Sequence, residues 1–305
     1  MSIAYLFPGQ GSQQVGMGRD LYKDNTEVRS LFDAADAQLG FALSALCFEG
    51  PEGELTDTVN QQPALFTTSV AMFMTLQGQD ALPPAFVVGH SMGELSALAA
   101  AGCMSFADGL KLARRRGELM ALAGEREPGA MAAILALDAP TVTQVCAEAS
   151  GKNGRIVQIA NDNCPGQIVI AGDKDALNDA VDMAREAGAR KVVVLPITIA
   201  AHSPLMASAS AEFAKEVAAT PLQTPQIPVI GNVSAQPLRT VNEIRAELEA
   251  QLTAPVRWTE SMHYLVAQGV DAVMEVGPGD VLLKLMRRIS RKTKRLKFEV
   301  QVRRM

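Results

Sequence analysis

Apolar positions along this chain follow two rhythms. Short unbroken apolar runs bounded by turn residues predict buried strands at 3–7 (IAYLF) and 85–88 (AFVV). Between them, residues 20–60 carry an interrupted helical spacing. The segment PALFTTSVAMFMTLQG then predicts a helix opening at Pro63, with Asn60 as its cap. After the second strand the chain turns on Gly89-His90-Ser91-Met92-Gly93 and resumes as an Ala/Leu-rich segment of high helix propensity. Ser105 caps the next predicted helix, FADGLKLARRRGELMALAG.

From 126 to 197 the pattern changes. AMAAILAL reads as a strand, 139–149 as a helix, and RIVQIAN and QIVIAG as strands joined by an NDNCPG turn; a helix at 174–188 and the strand RKVVVLPI follow. That order, βαββαβ, predicts a ferredoxin-like subdomain over 126–197. Longer elements resume afterwards: PVIGNVSA, a helix at 240–252, and DAVMEVGPGDVLLKL with a tight strand-to-helix turn at Gly277-Pro278-Gly279. The larger unit is therefore expected to be discontinuous, 1–125 and 198–305, with a ligand cleft between the two lobes.

With 305 residues, 48% of them hydrophobic, the chain can bury a large core. No apolar run approaches 18 residues, and the start MSIAYLFPGQ lacks the charged and apolar regions of a signal peptide. The expectation is a cytoplasmic protein without a membrane span. Cys47, Cys103, Cys146 and Cys164 are far apart and read as reduced thiols. Neither they nor the scattered histidines His90, His202 and His263 have metal-ligand spacing, so no metal is expected. Net charge is −5, but from Lys284 onward ten basic residues face the single acid Glu299, a local charge of +9. This run reads as a solvated terminal helix and tail or, more sharply, as a patch for an acidic partner or a phosphate-bearing cofactor. Nothing aromatic interleaves it, which argues against nucleic acid.

The chemistry centres on Gly89 to Gly93. A G-x-S-x-G segment between a strand and a helix is the context of a nucleophile elbow, whose sharp turn projects the Ser91 hydroxyl. Amides at the start of the following helix face the place where an oxyanion would develop. The glycine-rich PGQGSQQVGMG after the first strand suggests further amides approaching a ligand around Gln10, without the G-K-[ST] ending of a phosphate loop. A serine nucleophile needs a base within reach. His90 adjoins Ser91 and points away from it, and His263 falls in a helix as a packing or surface residue. His202, in a loop at the edge of the predicted cleft, is left by elimination as general base; no acid presents itself as a third member. In the helix after Ser105, the apolar stripe runs through Phe106, Leu110, Ala113, Gly117 and Met120. Arg115 lies opposite it and Arg114 on a polar flank, whereas Arg116 falls among Leu112, Leu119 and Met120. A buried guanidinium needs a carboxylate or phosphate. It has either a structural acid or an anionic substrate, and the pattern does not choose.

The motifs FPGQGSQ (7–13), QQPAL (61–65), GHSMGE (89–94), RRG (115–117), GAMAAI (129–134), NDNCPGQIVIAG (161–172), PVRW (255–258) and EVGPG (275–279), taken in order, resemble the malonyl-CoA:acyl-carrier-protein transacylase family of fatty acid and polyketide synthesis. The match runs nearly end to end. The resemblance implies an α/β-hydrolase-like core with a mainly parallel sheet and a ferredoxin-like insert. It further implies that Ser91 attacks the thioester of malonyl-CoA, with His202 as base and then acid. A backbone carbonyl in the segment around Gln251 would orient that histidine. The amides of Gln10 and Met92 would hold the oxyanion, Arg116 would grip the malonyl carboxylate, and Gln62 would line the pocket. The acyl group would pass to the phosphopantetheine thiol of an acidic acyl carrier protein. No permanently bound cofactor, no nucleic acid or membrane, and a monomer are expected.

Two positions depart from the family's usual pattern. Ala200-Ala201 precede His202 where a proline–serine or a phenylalanine is common, and Ala254 stands where asparagine is common. The first leaves a methylmalonyl-type extender open beside malonyl. A thioester hydrolase on the same scaffold has no use for a buried cation such as Arg116. A non-catalytic carrier-binding subunit would have no need of Ser91 or His202.

Overall fold

The computed structural model describes residues 1–79, 81–151 and 154–298. In chain order, β1 (Ile3–Phe7) is followed by α1 (Arg19–Asp24), α2 (Thr26–Leu39), α3 (Leu43–Glu49), α4 (Glu52–Thr56) and α5 (Thr58–Gly78). Then come β2 (Phe86–Gly89), α6 (Gly93–Ala100) and α7 (Phe106–Arg126). The segment with the changed pattern forms β3 (Gly129–Leu135), α8 (Ala139–Ala149), β4 (Val157–Cys164), β5 (Gln167–Asp173), α9 (Lys174–Glu186) and β6 (Lys191–Val194). The remainder is α10 (Ala207–Ala219), β7 (Val229–Ile230), β8 (Pro237–Leu238), α11 (Val241–Gln251), α12 (Trp258–Ala267), β9 (Ala272–Glu275), α13 (Val281–Ile289) and β10 (Lys294–Leu296).

Two sheets result. One has six strands in the order β10-β9-β1-β2-β7-β8, parallel except for the β7–β8 pair. Its central strand β1 is buried at every residue, as a strand covered on both faces must be. Alternate residues feed two cores: Ile3, Tyr5 and Phe7 join α2, α5 and α7 on one face, while Ala4 and Leu6 meet Trp258, Met262 and Leu285 on the other. The second sheet, β4-β5-β3-β6, is antiparallel and backs onto α8 and α9 with a core of its own. Strand β4 also reaches back to the first unit, through an isolated bridge from Asn161 to Val256 and a hydrogen bond from Thr259 to Asp162 (2.7 Å).

Three elements differ from the sequence reading. The helix expected at Pro63 starts at Thr58, and its cap is Asp57, whose side chain accepts from the Val59 amide at 2.8 Å. Pro63 thus lies inside the helix, where it cannot donate to the Val59 carbonyl. Arg114 Nη1 supplies a donor to that carbonyl at 3.3 Å, so the break is tolerated. Part of the basic run, Lys294–Leu296, is an edge strand parallel to β9, where exposed lysine discourages further pairing. Glu299, Arg303 and Arg304 lie outside the described residues. Strand β8 is only two residues long and leaves no periodic signal.

Among the described residues no single helix is long and apolar enough to cross a membrane. Nor does any group of three or more His, Cys, Asp or Glu among them have the arrangement to hold a metal ion. All four cysteines are buried and free.

Candidate active site

Adjacent parallel strands β1 and β2 end together, and the loops that leave their carboxyl ends make the centre of the site. The turn after β2 is tight enough to require glycine on either side of the serine. A Cβ on Gly89 would stand 2.0 Å from the Gly93 carbonyl, and one on Gly93 would stand 2.1 Å from the Phe7 carbonyl oxygen. Ser91 between them has a positive φ of 52°, a conformation that costs a non-glycine residue energy and lifts its hydroxyl clear of the backbone.

His202 meets that hydroxyl. Its Nε2 lies 2.8 Å from Ser91 Oγ, although the residues are 111 positions apart. The other ring nitrogen, Nδ1, faces the backbone carbonyls of Gln251 (2.7 Å) and Ala254 (3.2 Å). A carbonyl only accepts, so Nδ1 carries the proton and Nε2 is left as the acceptor for the serine proton. His202 has a positive φ of 60°, and its own carbonyl accepts from Gln158 Nε2 on β4 at 2.8 Å. Burial, and secondarily the charge of Arg116, push its pKa down to about 3, so it is neutral at physiological pH. His90 turns away toward Asn163 (2.8 Å) and Trp258, and His263 is exposed on α12.

Arg116 closes the third side. It is 2% exposed on α7 and forms no ion pair among the described residues, whereas its neighbours Arg114 and Arg115 both pair with Glu118. Its guanidinium donates instead to Gln62 Oε1 (3.0 Å), Gln251 Oε1 (2.8 Å) and Ser91 Oγ (3.2 Å), and Nε has no partner. Burial pulls its pKa down to about 10, still far above neutrality. The site therefore holds a desolvated positive charge with one spare donor, Nε–H, beside a hydroxyl. A carboxylate is the group that fits such a place.

Two amides point the same way. Among the described residues neither Gln10 N–H nor Met92 N–H donates to a protein atom, whereas Ser91 N–H is taken by Asn232 Oδ1 at 2.7 Å. The elements thus assemble Ser91, His202, Arg116, Gln62 and Gln251 into one contiguous network, with the loop carrying Gln10 alongside.

The acyl transferase domain family matches residues 4–305. The chain belongs to that family. Malonyl CoA-acyl carrier protein transacylase of Bacillus subtilis (strain 168) is 44% identical over 292 residues, 96% of this chain and 92% of that protein. The solved structure of the corresponding Coxiella burnetii transacylase superposes with a TM-score of 0.94 at 37% identity, covering 98% of this chain and 94% of that one. A malonyl-transacylase solved in complex with its type II PKS acyl-carrier protein also gives 0.94, at 38% identity over 97% and 96% of the two chains. This acyl transferase also brings to the site residues that sequence reasoning missed. Asn232, Glu94, Gln158 and Asn163 tie the turn, the base and β4 together. Glu94, the last residue of GHSMGE, and Asn163, within NDNCPGQIVIAG, stood in recognisable motifs, whereas Asn232 and Gln158 did not.

Proposed function

We propose that this protein moves a malonyl group from malonyl-CoA to the phosphopantetheine thiol of an acyl carrier protein through an acyl-enzyme on Ser91. The observation that carries the reading is the buried guanidinium of Arg116, in no ion pair among the described residues and 3.2 Å from the Ser91 hydroxyl. A transferase for uncharged acyl groups, or a simple thioester hydrolase, gains nothing from a buried cation there.

The malonyl carboxylate pairs with Arg116 by taking its free Nε–H and an Nη donor that Gln62 or Gln251 holds in the empty enzyme, which would bring the thioester carbonyl to Ser91. His202 Nε2 accepts the Ser91 proton as Oγ bonds to the carbonyl carbon. The oxygen of the tetrahedral intermediate accepts from the amides of Gln10 and Met92; one such donor is worth about 10² to 10³ in rate. Collapse breaks the carbon–sulfur bond, and the imidazolium returns its proton to the departing CoA sulfur. The carrier's thiol then gives its proton to His202, attacks the Ser91 ester and releases the hydroxyl, which recovers the proton. Such double displacement gives ping-pong kinetics. Charge on Arg116 depresses the His202 pKa, so a bound carboxylate that offsets this charge makes His202 a stronger base as substrate arrives.

The fold supports the same reading. The six-stranded sheet is consistent with an α/β-hydrolase-like core, 1–125 and 198–305, and the strand order β4-β5-β3-β6 with a ferredoxin-like insert at 126–197. An acidic carrier matches the four arginines Arg287, Arg288, Arg291 and Arg295 grouped around Pro165, none in an ion pair among the described residues. Pro165 is two residues from Asn163, which bonds His90 beside the nucleophile. The reading includes a monomeric protein.

Incubation with malonyl-, methylmalonyl- and acetyl-CoA followed by intact mass spectrometry tests it. Malonyl should add to the wild type and not to Ser91→Ala, and should leave on addition of holo carrier protein. Loading of acetyl in preference to malonyl would refute it.

A further inference from the structure

Behind the catalytic groups lies a buried carboxyl that the reaction as written does not use. Glu94 stands three residues after Ser91 on α6 and is fully buried. Its Oε1 accepts from the Asn232 amide (2.9 Å) and from Asn232 Nδ2 (3.2 Å), and its Oε2 accepts from Gln251 Nε2. Each of those partners holds part of the machinery. Asn232 Oδ1 accepts from the Ser91 amide at 2.7 Å, and its Nδ2 also donates to the Gly89 carbonyl at 2.7 Å. Both sides of the nucleophile turn are thereby pinned, and the Ser91 amide is kept out of the oxyanion site. The Gln251 side chain accepts from Arg116 at 2.8 Å and donates to the Ser91 carbonyl at 3.1 Å, while its main-chain carbonyl fixes His202 at 2.7 Å.

We propose that Glu94 and Asn232 are positioning residues for the transfer, with Glu94 setting, through Gln251, both the tilt of His202 and the aim of Arg116. The inference rests on the transfer reading above. In all three of its contacts the Glu94 carboxyl only accepts, and among the described residues no other side chain hydrogen-bonds both Asn232 and Gln251. Burial and the neighbouring Glu247 push its pKa well up, opposed by the same hydrogen bonds and by Arg116. Keeping a carboxyl in so costly a place is explained by the three catalytic groups that hang from it.

Glu94→Gln is the direct test. It replaces one acceptor oxygen by an NH₂ that must face the donors of either Asn232 or Gln251. We expect kcat/KM for malonyl-CoA, per active site titrated with a serine-reactive phosphonate, to fall about 10- to 100-fold, the range of coupling between residues in one network. Because Arg116 loses its aim, the malonyl-to-acetyl ratio should fall as well. In a Gln251→Ala background the same change should cost less than about threefold, since the path is already cut. Equal losses in the two backgrounds, or a loss shared evenly by malonyl and acetyl, would overturn the proposal and leave Glu94 a fold residue. Should Glu94→Gln give no folded enzyme by circular dichroism, Glu94→Asp and Asn232→Ser carry the same measurements. Failure of wild-type enzyme to load malonyl would instead defeat the transfer reading itself.

Discussion

Replacing Arg116 by alanine takes a guanidinium out of a buried place in which it forms no ion pair among the described residues. In the free enzyme the change removes hydrogen bonds to Gln62, Gln251 and Ser91 and relieves a desolvated charge that Glu94, linked to it through Gln251, offsets only in part, so the fold should tolerate it. With malonyl bound the balance is different, because the substrate carboxylate then sits in the pocket with no counter-charge. Breaking one side of a buried hydrogen-bonded ion pair costs about 3–5 kcal/mol. At about 1.4 kcal/mol per factor of ten, kcat/KM for malonyl-CoA should fall about 10² to 10⁴-fold. Acetyl-CoA brings no carboxylate, so its kcat/KM should hold or rise, and the preference should collapse by the same factor. Arg116→Lys should recover part of the loss, since an ammonium supplies charge without the two-pronged geometry. The assay is steady-state transfer to carrier protein from each thioester, with intact mass to count loaded enzyme. A variant that moves malonyl at wild-type rate, or loses malonyl and acetyl in equal measure, would show that Arg116 does not bind the carboxylate.

Other outcomes follow from the same geometry. Because His202 has its pKa pushed down to about 3, the unfolded chain binds a proton that the native protein refuses between about pH 6.5 and 3. Its contribution to stability is therefore lost as pH falls through that window, and chemical denaturation of His202→Gln should show a flatter acid limb. Glu275 has the opposite sign: burial lifts its pKa to about 7, so the native state holds the extra proton and stability falls as pH rises from about 4.5 to 7. Denaturant midpoints of Glu275→Gln across that range should lose this slope. Gly93→Ala should abolish acylation of Ser91, because its methyl would lie within 2.1 Å of the Phe7 carbonyl oxygen; normal loading by intact mass would contradict the packing. Reversing Arg287 and Arg288 to glutamate should raise KM for carrier protein, with a weaker salt dependence, and leave malonyl loading from CoA unchanged.

How far the site could be read in advance depended on whether a residue announces its neighbours locally. Arg116 did: one turn of helix geometry separated it from Arg114 and Arg115, and burial follows that division. Ser91 did as well, since a strand, two glycines and a helix around one serine leave few conformations. The strand and helix order of 126–197 was legible because each element has its own hydrophobic face. Pro63 misled, because a proline most often opens a helix, and only a partner 51 positions later, Arg114, makes its interior placement tolerable. Asn232 and Glu94 had to be seen folded, since their meaning lies in contacts 138 and more positions apart.

These residues share a property that periodicity cannot report: each is unfavourable where it stands. Arg116 is a buried cation with no ion pair among the described residues, His202 an imidazole denied its proton, Glu94 a carboxyl in the interior, and Ser91 and His202 both hold positive φ. Taken singly, each would be a defect that a more stable sequence would remove. Joined through Gln251 they compensate one another only in part, and what remains uncompensated is one positive charge beside one hydroxyl. On the proposed reading, that remainder is met when an acyl group brings a carboxylate of its own, and the same imbalance that costs the empty enzyme stability would select the substrate.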